Sequence, residues 1–150
     1  MAGVRTSTKA IIIQDEALLV IVGKGETGEE FYYLPGGGQE KFETLEQALK
    51  RECLEEIDAR VIVGDILFVR DYIARNHEFA AFDPNFHQLD LFFECSLEPG
   101  ETPQNGSSPD STQQGVMWLK LIDLETAKLY PQELKTALRS RDRVYLGDVN

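Results

Sequence analysis

The stretch from Phe31 to Asp58 constrains this chain more than any other. Phe31-Tyr32-Tyr33-Leu34 has the aromatic and apolar density of a short strand, and Pro35-Gly36-Gly37-Gly38 then leaves the backbone bare where the chain must turn. A loop follows. Thr44, with Gln47 three positions on, has the spacing of a capping box, in which each side chain satisfies the other's free backbone donor. The helix that it opens is expected to run to about Asp58.

Around this stretch the pattern is mainly one of strands. Residues 10–13 and 17–22 are apolar or β-branched and are separated by Gln14-Asp15-Glu16, which reads as a β-hairpin. Further strands are expected at 59–63, 66–72, 89–97 and 116–121. Pro131, with Glu133 in the next turn and Leu134, Ala137 and Leu138 on one face, opens a final helix. The expectation is a single α/β domain over residues 1–150 with a largely self-paired sheet. A chain of 150 residues can bury about two-thirds of its unfolded surface without a covalent staple. Residues 98–114 are rich in Pro, Gly, Ser and Asn and have no apolar period, so they read as a flexible loop, a disordered insert rather than a lid.

Charge narrows the partners. A formal net charge of −11 repels a polyanion, and no stripe of Lys and Arg offsets it, so a nucleic acid polymer is not expected as a partner. A small phosphorylated molecule is compatible, because a bound divalent cation inverts the field that carboxylates create. No apolar run approaches the roughly 18 residues of a membrane span, and residues 1–9 lack a basic segment followed by an apolar one, so a cytoplasmic protein is expected. Cys53 and Cys95 are then expected to be reduced and buried.

On the helix after Thr44, Glu52, Glu55 and Glu56 fall on one patch, since positions i, i+3 and i+4 are neighbours. Runs of glutamate usually mark a solvated face. Here Leu45, Ala48 and Leu49 lie on the same stripe, so a face that begins apolar ends in three carboxylates. Such groups cannot all ionise cheaply at a covered position unless a cation compensates. Oxygen ligands favour Mg²⁺ or Mn²⁺, which bind phosphates through their remaining positions.

Read with its flanks, the sequence runs from Gly37 through five residues to Glu43, then seven residues to Arg51-Glu52-Cys53-Leu54-Glu55-Glu56. This resembles the Nudix box. Six fixed positions match in spacing, and at typical residue frequencies a chance match in such a chain is on the order of one in 10⁵. Trp118 on a late strand and Tyr130-Pro131 before the last helix agree more loosely. The resemblance implies an α/β/α sandwich around a mixed sheet. It also implies hydrolysis of a nucleoside diphosphate linked to another group, with ADP-ribose or a nucleotide sugar as the first expectation. A nucleoside triphosphate pyrophosphatase and a non-catalytic nucleotide sensor are the alternatives, and a homodimer is left open.

By position, the resemblance makes Glu52, Glu55 and Glu56 ligands of Mg²⁺ or Mn²⁺, with the Gly36 carbonyl beside them, and pairs Glu43 with Arg51. Glu55, Glu56, Glu43 and Arg51 form the expected catalytic set. A base outside the box is sought among Glu94 and Asp110, with Glu55 as the third candidate. Arg5, Arg70 and Arg75 are candidates for substrate phosphates, His77 and His87 are more simply loop histidines, and Phe79, Phe82 and Phe86 are candidates for stacking on a base. The box has Asp58 where the family usually has Gly and Cys53 where an aliphatic residue is usual. Asp tolerates the left-handed conformation less well and opposes the helix dipole, so the helix end is an open point.

Overall fold

The computed structural model describes residues 3–109 and 111–150. Asp110, one of the candidate bases, lies outside them. β1 (Arg5–Gln14) and β2 (Ala17–Lys24) form the expected hairpin, with Ile13 opposite Leu18 and Gln14 opposite Ala17. Its turn places Asp15 and Glu16 at φ 50° and 61°, the doubly positive conformation whose twist matches the strands on either side.

β3 (Glu30–Tyr33) pairs with β2. The glycines that follow, expected to turn, instead form a short strand, β4 (Gly36–Gly38), antiparallel to β1 with Gly36 opposite Lys9 and Gly38 opposite Ser7. The change of direction falls earlier, at Pro35, whose carbonyl accepts from the Ala10 N–H at 2.9 Å. α1 (Leu45–Ile57) begins at Thr44 with both bonds of the capping box present.

The strands expected at 59–63 and 66–72 are one strand, β5 (Val61–Ile73). Gly64 and Asp65 mark a register shift in its pairing with β6 (His87–Leu97), a bulge that a sequence pattern reads as a break. β7 (Gln113–Lys120) pairs with β2, β8 (Leu129–Tyr130) runs parallel to β3, and α2 (Glu133–Ser140) leads to β9 (Tyr145–Asp148), parallel to β5. β8 and β9 went unforeseen because they are too short to show a period.

The main path of the mixed sheet is β8-β3-β2-β1-β6-β5-β9, with β4 on β1 and β7 on β2. Successive residues of β1 face opposite sides, as a pleat requires. Ala10 and Ile12 pack with Leu49, Cys53 and Ile57 of α1, while Ile11 packs with Leu134 and Ala137 of α2. The two helices therefore cover opposite faces, giving an α/β/α sandwich. Each large side chain fully buried in this way contributes about 1.5–3 kcal/mol.

Candidate functional site

The same rotation that turns Leu49, Cys53 and Ile57 into the core brings Glu52 and Glu56 against the glycine strand. The Gly36 N–H donates to Glu56 Oε1 at 2.9 Å, and Glu56 is only 4% exposed. The Glu52 carboxylate lies so close over Gly37 that a Cβ there would meet its oxygens at 2.6 Å. On Gly38 the corresponding neighbour is the Arg5 guanidinium, at 2.5 Å, which also donates to Gln88 Oε1 at 2.8 Å. Gly36 has φ 144°, and a Cβ there would fall 2.0 Å from the Thr8 carbonyl oxygen. Glycine is required at position 36, where the obstacle is backbone, whereas a side chain at 37 or 38 would have to displace the end of Glu52 or Arg5.

Arg51 is the hub of the charged groups. Its Nη2 and Nε donate to Glu43 at 2.7 and 3.2 Å, and Nη2 also donates to the Gly38 carbonyl at 3.0 Å. Nη1 reaches Glu52 at 2.9 Å, Glu55 at 3.5 Å and Glu40 at 3.9 Å. The bond from Arg51, followed by that from the Glu40 N–H, holds the Glu43 carboxyl below its ordinary range. In return, Glu43 first and then Glu52 raise the Arg51 guanidinium still further above neutrality. The expected pairing of loop and helix through Glu43 and Arg51 is present in the geometry. One guanidinium faces four carboxylates here.

α1 ends at Ile57 and Asp58 follows in the left-handed conformation, φ 51° and ψ 41°. Its carboxylate accepts from Gln104 Nε2 at 2.8 Å, a bond from the stretch whose composition suggests disorder. Cys53 and Cys95 are buried and unpaired; burial pushes the Cys95 thiol up to about 12 and that of Cys53 well above its ordinary value. Neither has the character of a reactive thiolate.

The remaining candidates divide. Arg5 joins the site through Gly38. Arg70 does not: it is buried, bonded to Asp90 at 2.8 Å and to the Val149 carbonyl at 2.6 Å, and so ties the chain after β9 to the sheet. Arg75 is exposed and turns to Pro84 and Asn85 of its own loop. His77 and His87 pair with Asp148 and Asp71, and His87 begins β6 rather than sitting in a loop. Glu94 is an exposed residue of β6. Phe79 and Phe82 lie 6.3 Å apart and, with Phe31 and Tyr130, line a cavity of about 480 Å³ that Lys24, Lys128 and Thr112 also border. Phe86 packs on Tyr72 instead.

Sequence reading missed Gln113, whose Nε2 donates to the Glu56 carbonyl at 2.9 Å, and Gln88, which links Arg5 to Asp90. Neither Gln113, next to Gln114, nor Gln88, at the head of an apolar strand, stands in a pattern that signals such a role. Gln113 follows Thr112 at the rim of the aromatic cavity, so cavity and helix end are neighbours.

The donor set on α1 is oxygen only, and one carboxylate occupies a cradle that any side chain on Gly37 would fill. Both features fit a hard divalent cation. Among the described residues no three acidic, His or Cys side chains converge on one point as they stand. Arg51 draws Glu52 and Glu55 toward itself while Glu56 turns to Gly36.

A family model described as the NUDIX domain matches residues 4–140. No curated protein matches the chain. Among solved structures, the ORF135 protein of E. coli is 20% identical over 93% of each chain, with a TM-score of 0.66. An ADP-ribose pyrophosphatase of Streptococcus suis is 20% identical over 97% of this chain and 98% of its own, at 0.60. A UDP-X diphosphatase is 20% identical over 99% of this chain and 68% of its own, at 0.66. At such identities the likeness is one of fold.

Proposed function

The chain belongs to the Nudix hydrolase family, and from that premise we propose that it cleaves the pyrophosphate bond of a nucleoside diphosphate linked to a further group, ADP-ribose or a nucleotide sugar. The observation that carries this reading is the cluster of carboxylates where α1 meets the loop before it: Glu52 and Glu56 lie against the glycine strand, and Arg51 faces Glu40 and Glu43 of the loop and Glu52 and Glu55 of the helix. That cluster suits a site completed by Mg²⁺ or Mn²⁺ and a polyphosphate together.

Glu52, Glu55 and Glu56 would hold the cation, with the Gly36 carbonyl beside them. When bound, it supplies Lewis-acid stabilisation of charge developing on the phosphoryl oxygens. The protein's own groups do the rest. Arg51 and Glu43 lock the loop to the helix, so the carboxylates are presented by rigid backbone. Arg5, across Gly38, offers a guanidinium to a phosphate. The aromatic cavity beside Thr112 offers ring faces to a base, and its rim mixes Lys24 and Lys128 with Glu26, Glu29 and Glu78. Two of the solved relatives in fold are named for substrates of this class, ADP-ribose and a UDP conjugate.

The test is a panel of ADP-ribose, nucleotide sugars, dinucleoside polyphosphates and oxidised triphosphates, each assayed with Mg²⁺ or Mn²⁺ and again with EDTA. Hydrolysis of ADP-ribose or a nucleotide sugar to two monophosphate products, abolished by EDTA, is expected. Preference for triphosphates would replace the substrate class, and inactivity on every compound would favour a binding module.

A further inference from the structure

Helix α1 ends against its own electrostatics. Its final carbonyls sit at the negative end of the helix dipole, its last turn has no basic side chain, and Glu55, Glu56 and Asp58 add charge of the same sign. The stretch from 104 to 113 supplies donors in compensation. The Gln104 N–H donates to the Ile57 carbonyl at 2.9 Å, that of Gly106 to Glu56 at 3.0 Å, and that of Ser108 to Glu55 at 3.0 Å. Gln113 Nε2 donates to the same Glu56 carbonyl at 2.9 Å and to Asn105 Oδ1 at 2.8 Å. Gly106 approaches so closely that a Cβ would lie 2.1 Å from the Glu55 carbonyl oxygen.

We propose that Gln113 and Gly106 are positioning residues for the reaction, fixing the last turn of α1 and through it the aim of Glu55 and Glu56. This rests on the reading of those glutamates as metal ligands. The direction of a side chain follows its backbone, and a helix terminus left without partners frays. Here every carbonyl from Glu55 to Ile57 is held from outside the helix. Gln113 is 9% exposed and opens β7, which pairs with β2, so the helix end is referenced to the sheet rather than to a loop alone. Asp58 takes the left-handed conformation in which a glycine ordinarily closes such a helix, and this segment adds donors from outside the helix beside it.

Gln113→Glu keeps the size of the side chain and turns its donor into an acceptor facing two oxygens. In the full-length protein, Mn²⁺ alone, followed by its electron paramagnetic resonance signal, should bind about 10-fold or more weakly, the scale of losing a group that orients a ligand. On the best substrate of the panel, kcat should fall comparably while KM stays nearly constant. Amide exchange at Gln104, Gly106 and Ser108 should quicken while the sheet stays protected. Gly106→Ala displaces the same segment by another route and should reproduce all three effects, which covers the case in which Gln113→Glu fails to fold. Adding Asp58→Gly, which ends the helix without strain, should restore part of the Mn²⁺ affinity. Quickened exchange with unchanged Mn²⁺ binding and kcat would reduce the segment to a structural cap and overturn the proposal, as would no change in exchange. If the unsubstituted protein binds no Mn²⁺ and hydrolyses nothing, the ligand reading itself has failed, before any variant is made.

Discussion

Two regions of this molecule gather acidic side chains, and they settle their charge differently. Where β5 meets β9, two carboxylates have partners of their own: Asp71 takes the Tyr145 hydroxyl at 2.6 Å and His87 at 2.8 Å, while Asp148 takes His77 at 2.7 Å, Asn76 at 2.8 Å and the Ile73 N–H at 2.9 Å. On α1 the acids outnumber the one guanidinium that faces them. The first arrangement is complete and locks the last strand to the sheet. The second keeps an excess of negative charge among the described residues, which is where a cation has something to add.

Four experiments press on that difference. The largest effect is expected from Glu56→Gln, which removes charge from the most buried of the α1 acids while keeping its shape. kcat should fall by about two orders of magnitude or more, the scale of losing a group that supports the transition state, with circular dichroism unchanged. Undiminished turnover would erase the functional side of the contrast. Next comes Arg51→Lys, which preserves charge but cannot fork across Glu43, Glu52 and the Gly38 carbonyl. A loss of about tenfold in kcat/KM, worth about 1.4 kcal/mol, is expected, together with a lower Tm.

Third, Mg²⁺ should raise Tm by an amount that grows with its concentration, reaching about 2.7 kcal/mol of added stability at 100 times its Kd. The increase should persist in Asp71→Asn/Asp148→Asn and vanish in Glu52→Gln/Glu56→Gln. The smallest effect concerns acid. The Tyr145 and His87 bonds hold Asp71 below its ordinary value. At Asp148 burial pushes upward, but Asn76, His77 and the Ile73 N–H together outweigh it. Folded values below unfolded ones mean that these groups add stability in full above about pH 5 and lose it as pH falls through their folded values. Urea unfolding from pH 6 to pH 2 should therefore show the double Asn variant less stable at the upper end and converging with the parent at the lower.

Legibility followed the range of the forces involved. The capping box, the hairpin and α1 were readable because their signals lie within a few residues, and the box spacing marked Glu43, Arg51 and the three glutamates because loop and helix adjoin in sequence. Three features were not readable. Gly36–Gly38 as a strand depends on β1, far back in the chain. Arg70 looks like any surface arginine until Asp90 and the Val149 carbonyl close around it. The 104–113 stretch fails every test of apolar content because its bonds are polar and made to another element's carbonyls. Composition registers what can be buried; it is blind to which donors a helix end requires.

The glycine strand also determines how the gene would tolerate change. Its three codons look interchangeable, yet alanine at each should give a different phenotype. At Gly36 the obstacle is the Thr8 backbone, which no second substitution can trim, so the defect should appear as low expression or misfolding. At Gly37 and Gly38 the obstacles are the movable ends of Glu52 and Arg5, so those variants should fold and fail in activity. Shortening the residue at position 5 should relieve the crowding in the Gly38 variant without restoring its activity, because Arg5 is the proposed phosphate contact.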